Sequence, residues 1–175
     1  MQHARISTVP TLRDIHFDDL PAVQALNEAA VPAVNSLAMA PLQWLWEHAI
    51  YRRAAVDATG EVGGFLLGLG PGLAYASPNY RWFSARYPDF VYVDRIVVGA
   101  AWRNLGLGTQ LYADIWQLAV HRGAVLACEV NLEPANPGSL RFHAKFGFRS
   151  VGEQRTEGGT KRVTLLVREP PATSE

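Results

Sequence analysis

One cysteine, Cys128, and two lysines, Lys145 and Lys161, stand in a chain of 175 residues. A lone thiol excludes an intrachain disulfide and any metal site built on several cysteines. Its apolar setting, Val125-Leu126-Ala127-Cys128, reads as a buried strand thiol rather than a nucleophile. There is no surplus charge of either sign, because sixteen basic side chains offset sixteen acidic ones. That balance speaks against partners held by bulk electrostatics, so neither a nucleic acid nor a membrane is expected as a partner. No apolar run approaches the ~20 residues of a membrane-spanning helix, and Met1-Gln2-His3-Ala4-Arg5 does not open an apolar export signal. The expected location is therefore the cytoplasm. Internal repeats and low-complexity segments are lacking too. The chain is 49% hydrophobic, enough for one globular domain, expected over residues 8–168, with loose ends at 1–7 and 169–175.

Periodicity and punctuation place the elements. Thr11-Leu12-Arg13-Asp14 predicts a short strand. Asp18 or Asp19 caps a helix with Pro21 in its first turn and Leu20, Val23 and Leu26 on one face. A second helix is expected from Pro41 to Ile50, and a hairpin from Ala54–Asp57 and Val62–Leu69 around Thr59-Gly60, its pattern weakened by glycines. An aromatic tract from Tyr75 to Tyr87 follows, read as a long connection. Phe90–Val98 predicts a central strand, and Leu107, Leu111, Ile115 and Leu118 mark a helix ended by Gly123. A strand over Ala124–Val130, a helix over Ser139–Phe146 stopped by Gly147, and strands over Phe148–Glu153 and Lys161–Arg168 complete an α/β plan with a mixed sheet.

The strongest chemical signal lies between the strand ending at Val98 and the helix beginning near Gly106. Backbone N–H groups unpaired at a helix start converge, and the helix dipole adds partial positive charge there, which suits a phosphate. Gly106 and Gly108 allow close approach to the backbone, and Arg103 supplies a charged planar fork. Two common nucleotide signatures fail: there is no G-x-G-x-x-G after an early strand, and no Gly-Lys-Ser/Thr follows.

The run Arg103-Asn104-Leu105-Gly106-Leu107-Gly108 resembles the (Gln/Arg)-x-x-Gly-x-(Gly/Ala) motif of the GNAT N-acetyltransferases. Asn136-Pro137-Gly138-Ser139-Leu140-Arg141-Phe142-His143-Ala144-Lys145-Phe146-Gly147-Phe148 resembles that family's second signature, an Asn, a short helix and Lys-x-Gly-Phe. Leu12-Arg13-Asp14 with Asp18-Asp19-Leu20-Pro21 resembles its first strand and helix, so the likeness covers about Thr11 to Val167. The connection Ala29 to Ser36 and the tract Tyr75 to Phe83 also resemble a bacterial group of the family, a resemblance that stops short of a substrate.

The resemblance implies a GNAT fold: a mixed, mostly antiparallel sheet of six to seven strands with a splayed central pair, flanked by about four helices. It implies acetyl-CoA as acyl-donor cosubstrate, no metal, and transfer to a primary amine of a small molecule or peptide by direct attack on the thioester. By the same resemblance Arg103, Asn104, Leu105, Gly106, Leu107, Gly108 and Thr109 hold the pyrophosphate. Ile96, Val97 and Val98 lie along the acyl and pantetheine arm, backbone groups of Ile96 and Val98 bonding it, and Asn136 touches the cofactor; read from the residues alone, Asn136 makes an Asx turn before Pro137. His143 stands where many members carry a Tyr that protonates the leaving thiolate; an imidazolium could supply that proton, and a structural or cofactor-packing role is the alternative.

An acceptor amine must lose a proton before it attacks, and Glu129 and Asp94, one on each splayed strand, are the candidate bases. Strand alternation puts Tyr92, Asp94 and Ile96 on one face. A buried structural ion pair or a carboxylate bonded to loop amides is the alternative for each, with Glu129 preferred as base. Asn79, Tyr80 and Arg81 from the aromatic tract, and Asn35 from the connection between the first two helices, are candidates to line the acceptor pocket. Homodimers are frequent among similar proteins, and the aromatic surplus could serve such an interface. The competing function is a CoA-binding sensor or scaffold without catalysis.

Overall fold

A computed structural model describes residues 9–172. The ends expected to be loose fall largely outside this range: 1–7 at one terminus and 173–175 at the other. In chain order the elements are β1 (Thr11–Asp14), α1 (Leu20–Ala29), α2 (Met39–His48), β2 (Tyr51–Val56), β3 (Val62–Leu69), α3 (Pro78–Ser84), β4 (Phe90–Val98), α4 (Leu107–Arg122), β5 (Val125–Glu133), α5 (Pro137–Lys145), β6 (Arg149–Thr156) and β7 (Lys161–Arg168). The sheet has seven strands in the order β1-β2-β3-β4-β5-β7-β6. The β1–β2, β2–β3, β5–β7 and β6–β7 ladders are antiparallel and β4–β5 is parallel. The chain forms two compact units, one of residues up to Leu69 with Arg95–Ile115, the other of Gly70–Asp94 with the residues from Trp116 on.

In the first unit β3 is buried along its whole length, although Gly63, Gly64 and Gly68 weaken its strand pattern. Two of the three glycines have a packing reason. A Cβ on Gly63 would lie 1.9 Å from the Trp102 indole, and one on Gly64 would lie 2.9 Å from the Val97 carbonyl oxygen. Trp102 is 4% exposed and packs with Ala55 and Leu107, with Leu12 and Val98 against the cluster. Gly99 donates its N–H to the Gly63 carbonyl at 2.8 Å. Glycine therefore buys this strand the room for an indole and a close backbone approach. The entry to α1 is held by Asp19, which accepts from the His16 N–H at 2.7 Å and pairs with Arg13 at 2.6 Å. The Arg13 guanidinium lowers the Asp19 pKa.

The second unit is built on β5, β7 and β6 and an aromatic core of Tyr80, Phe83, Phe90 and Tyr92, with ring centroids 5.6–6.4 Å apart in the Tyr80–Phe90 and Phe83–Phe90 pairs. Such edge-to-face and tilted contacts add to the area the rings bury. The tract read from sequence as a connection contains α3. Ser77 caps it, accepting from the Tyr80 N–H at 3.3 Å, and Pro78 sits in its first turn, a start signal that Ser-Pro carried all along. Gly152 makes room for Trp82 of α3, whose ring lies 2.7 Å from where a Cβ would stand. The β4–β5 ladder comprises Phe90↔Val125, Val91↔Leu126 and Tyr92↔Ala127; each strand has nine residues.

Gly63→Ala should lower stability by about 1–3 kcal/mol through overpacking against Trp102. Gly138→Ala, on a helix with no atom within 4 Å of the added Cβ, should be neutral or stabilising. Urea unfolding of the two variants side by side checks the contrast.

Candidate active site

The first unit carries the loop that the sequence marks for phosphate. Buried Trp102 fixes its start and buried Leu107 its end, while Arg103, Asn104, Leu105 and Gly106 are exposed. Between these two anchors the backbone turns through the left-handed region at Asn104 (φ 64°) and Gly106 (φ 75°), which glycine adopts at least cost. The Gln110 N–H closes the first helical bond onto the Gly106 carbonyl at 3.0 Å. The N–H groups of Leu107, Gly108 and Thr109 precede it and find no acceptor within the helix. No atom lies within 4 Å of a Cβ built on Gly106 or Gly108. The fold thus leaves open the volume over these amides that a side chain would fill, and a diphosphate fits that chemistry. The helix behind the loop is anchored by Tyr51 of β2, whose hydroxyl donates to Asp114 at 2.8 Å.

Also in this unit, Asn27 is fully buried and ties three segments together. It accepts from Arg95 Nη1 of β4 at 2.7 Å and donates to the Asn35 carbonyl at 3.1 Å and to Glu28 at 3.1 Å. Glu28 in turn accepts from the Leu37 N–H and the Ser36 hydroxyl, both at 2.7 Å. The α1–α2 connection that holds Asn35 is therefore strapped to β4. Asn35 itself is exposed.

The second unit gathers the two candidate bases. The Tyr92 hydroxyl donates to Glu129 Oε2 at 2.8 Å, and the Tyr75 hydroxyl donates to Asp94 Oδ1 at 2.7 Å. Burial raises the Glu129 pKa from 4.5 to about 7; the Tyr92 hydrogen bond opposes the rise, the Asp94 charge adds to it and the Asn79 side chain also opposes it. Burial, with the charges of Glu129 and Asp94, pushes the Tyr92 phenol well above its ordinary value, so it remains a donor. This leaves Glu129 as a carboxylate that can take and return a proton near neutral pH. Asn79, half-buried, accepts from Gln154 Nε2 at 2.5 Å. Tyr80 is 1% exposed, and its hydroxyl donates to the Gly70 carbonyl at 2.7 Å and accepts from the Leu73 N–H at 3.0 Å. It is thus a core residue clamping the loop ahead of α3. Arg81 is exposed and donates to the Tyr75 carbonyl.

A family model described as the acetyltransferase (GNAT) family matches residues 20–148, well over half of the chain. The chain belongs to the acetyltransferase (GNAT) family. Among curated proteins, the UPF0039 protein sll0451 of Synechocystis is 27% identical over 99 residues, 57% of this chain and 60% of that protein's length. The match thus spans less than two thirds of that relative. Among solved structures, the ribosomal-protein-S18-alanine N-acetyltransferase of Escherichia coli superposes with a TM-score of 0.73 at 15% identity, covering 95% of this chain and 97% of that one. Arabidopsis thaliana NAA60 in complex with acetyl-CoA gives 0.73 at 18% identity, covering 91% and 99%. At such identities the likeness is one of fold, and it is the GNAT fold expected from the sequence.

In this GNAT chain the second signature forms α5. Asn136 is its N-cap, its side chain accepting from the Ser139 N–H at 3.2 Å. His143 is 6% exposed, and its Nδ1 lies 2.7 Å from the Ser139 carbonyl oxygen. A carbonyl can only accept, so Nδ1 carries the proton and Nε2 of the neutral ring is an acceptor. Burial lowers the His143 pKa, the opposite direction from what an imidazolium donor requires. The Phe142 and Phe148 rings meet it edge-on at 5.4 and 5.2 Å.

Sequence reasoning did not single out Tyr75 or Gln154 as partners of the site, and noted Tyr92 only as sharing a strand face with Asp94. That alternation was the available signal for Tyr92. Gln154 had none, since its position depends on the packing of α3 on β6. Because the folded protein binds the Glu129 proton more tightly than the unfolded chain, this residue's contribution to stability is full below pH 4.5 and is lost as pH rises through about 7. Urea midpoints measured from pH 4.5 to 8 should fall less in Glu129→Gln than in the parent.

Proposed function

We propose that the protein moves an acetyl group from acetyl-CoA to a primary amine, the amine attacking the thioester directly while Glu129 takes its proton. The observation that carries this reading is Glu129 itself: a strand carboxylate bonded by Tyr92 at 2.8 Å and titrating at about 7. A base is most useful when its pKa lies near the working pH, because it is then both ionised and basic enough to draw the proton. Asp94, tethered by Tyr75, is the second carboxylate, and its charge keeps Glu129 basic. Family membership supports acetyl transfer as the reaction class, and neighbouring structures such as the NAA60 complex with acetyl-CoA support the donor.

In this reading Arg103 and the amides around Gly106, Leu107, Gly108 and Thr109 bind the pyrophosphate, with Asn104 and Leu105 shaping the turn. Backbone groups of Ile96 and Val98, with Val97 between them, bond the acyl and pantetheine carbonyls and amides as pre-aimed dipoles. Asn35 and Arg81, exposed polar groups on connections, are the acceptor-side candidates. With Nδ1–H committed to Ser139, His143 packs the cofactor side and its neutral ring contributes little as an acid; the leaving thiolate, with a pKa of ~8.5 for a thiol of this kind, needs only modest help. Residues 8–168 act as one acetyltransferase domain, working in the cytoplasm on a small-molecule or peptide amine.

Calorimetry with CoA should show binding that weakens by at least about tenfold when Gly106 or Gly108 is replaced by Val, since a branched side chain covers the amides. A native protein that fails to bind CoA would sink the proposal. Glu129→Gln should lower turnover by about 10²–10⁴-fold with the affinity for acetyl-CoA little changed. In the parent, kcat/KM should rise with pH through about 7 as Glu129 ionises. The rate is read as free thiol released against a panel of amines; release no faster than background with every amine would favour a non-catalytic CoA binder.

A further inference from the structure

Resting on the reading of Glu129 as the base with Asp94 as the second carboxylate, we propose that Tyr80 is a positioning residue for both acids. Its ring seats two phenols, Tyr75 and Tyr92, in edge contacts, and each phenol donates to one carboxylate. The Tyr75 and Tyr80 ring centroids are 5.5 Å apart at 68°, and those of Tyr80 and Tyr92 are 5.7 Å apart at 74°. From these seats the Tyr75 hydroxyl donates to Asp94 Oδ1 at 2.7 Å, and the Tyr92 hydroxyl to Glu129 Oε2 at 2.8 Å. A ring that leaves its seat carries its hydroxyl off the acid, and a hydrogen bond weakens steeply with lost alignment.

One residue can serve two acids because the sheet sets them side by side. Strands β4 and β5 are parallel with Tyr92 opposite Ala127, and in that register the next residues on the same face are Asp94 and Glu129. Tyr80 stands over that face, its ring also 5.6 Å from Phe90. The two phenols depend on different parts of Tyr80. Tyr92 belongs to a strand and needs only the ring, with Phe83 beside it at 5.8 Å. Tyr75 belongs to the connection ahead of α3, which the Tyr80 hydroxyl folds by donating to the Gly70 carbonyl at 2.7 Å and accepting from the Leu73 N–H at 3.0 Å. The Tyr80 N–H closes the far end of that connection on the Ser77 hydroxyl at 3.3 Å. The hydroxyl of Tyr80 therefore serves Asp94, and its ring serves both acids. The titratable groups acting on Glu129 are Tyr92 and Asp94, both from β4, while β7 sets the uncharged Leu165 opposite it.

The test follows the carboxyl carbons of Glu129 and Asp94 by NMR in protein labelled with ¹³C-glutamate and ¹³C-aspartate, alongside the pH dependence of kcat/KM. Glu129→Gln and Asp94→Asn assign the two signals. Tyr80→Phe keeps the ring and loses the hydroxyl, so the Asp94 signal should shift as it does in Tyr75→Phe while the Glu129 midpoint stays at the parent value. Tyr80→Leu removes the ring as well and should raise the Glu129 midpoint toward that of Tyr92→Phe, about 0.5 to 1 pH unit for one lost hydrogen bond. The acid limb of kcat/KM should move with it. The double variant Tyr80→Leu/Tyr92→Phe should shift no further than Tyr92→Phe alone, because Tyr80 acts on Glu129 through Tyr92. Should Tyr80→Leu fail to fold, the contrast between the two signals in Tyr80→Phe decides. An Asp94 signal unmoved or a Glu129 midpoint displaced in Tyr80→Phe, or a Glu129 midpoint unmoved in Tyr80→Leu, overturns the proposal. Full turnover in Glu129→Gln would instead remove Glu129 as the base, while both carboxyl signals would still report on Tyr80.

Discussion

A carboxylate on an inner strand must be given hydrogen-bond donors or give up its charge. Around Glu129 the second unit does some of each. Tyr92 supplies a donor at 2.8 Å, yet burial still lifts the acid into the neutral range. The aromatic core is arranged about that compromise. Tyr80 and Phe83 hold the Tyr92 ring at centroid distances of 5.7 and 5.8 Å, and Tyr80 spends its own hydroxyl on the preceding loop. A phenol aimed at a carboxylate costs nothing to reorient when charge develops there.

The first unit solves a different problem, that of holding an exposed turn still. Arg103 to Gly106 lie on the surface, where a loop is ordinarily the mobile part of a domain. Here the turn is pinned by Trp102 driven into the space that Gly63 leaves vacant and by Leu107 buried on the other side. Gly99 adds a backbone bond to the same strand. The glycines of β3 and those of the loop thus have separate tasks. Gly63 admits an indole and Gly64 a backbone carbonyl, and the glycines of the loop keep the helix amides uncovered.

Much of the fold was legible because apolar periodicity reports which face of an element is covered. Leu107, Leu111 and Ile115 predicted α4 and are buried along it, and Gly123 does end that helix at φ 62°. The strands over Val62–Leu69, Phe90–Val98 and Lys161–Arg168 were legible for the same reason. The helix α3 was missed because aromatic residues on both of its faces, Tyr80 and Phe83 inward and Trp82 toward β6, hide a 3.6-residue period. Strand β2 begins at Tyr51 and β6 ends at Thr156, further than their polar ends indicated, since ladder pairing extends a strand past its apolar stretch. For the candidate site, the loop and both carboxylates could be proposed from sequence. The protonation of His143 could not, because its direction depends on burial and on the Ser139 carbonyl of its own helix.

By itself the sequence determined the order of the strands and of every helix but α3, the glycine-and-arginine turn ahead of α4, and the presence of acids on apolar strands. These are properties of local chemistry, read within a few residues of one another. Only the tertiary structure decided which donors reach those acids. Tyr92 is 37 residues from Glu129, and Tyr75 is 19 residues from Asp94. Hydrogen bonds form between atoms about 3 Å apart in space, and separation along the chain carries no trace of that distance.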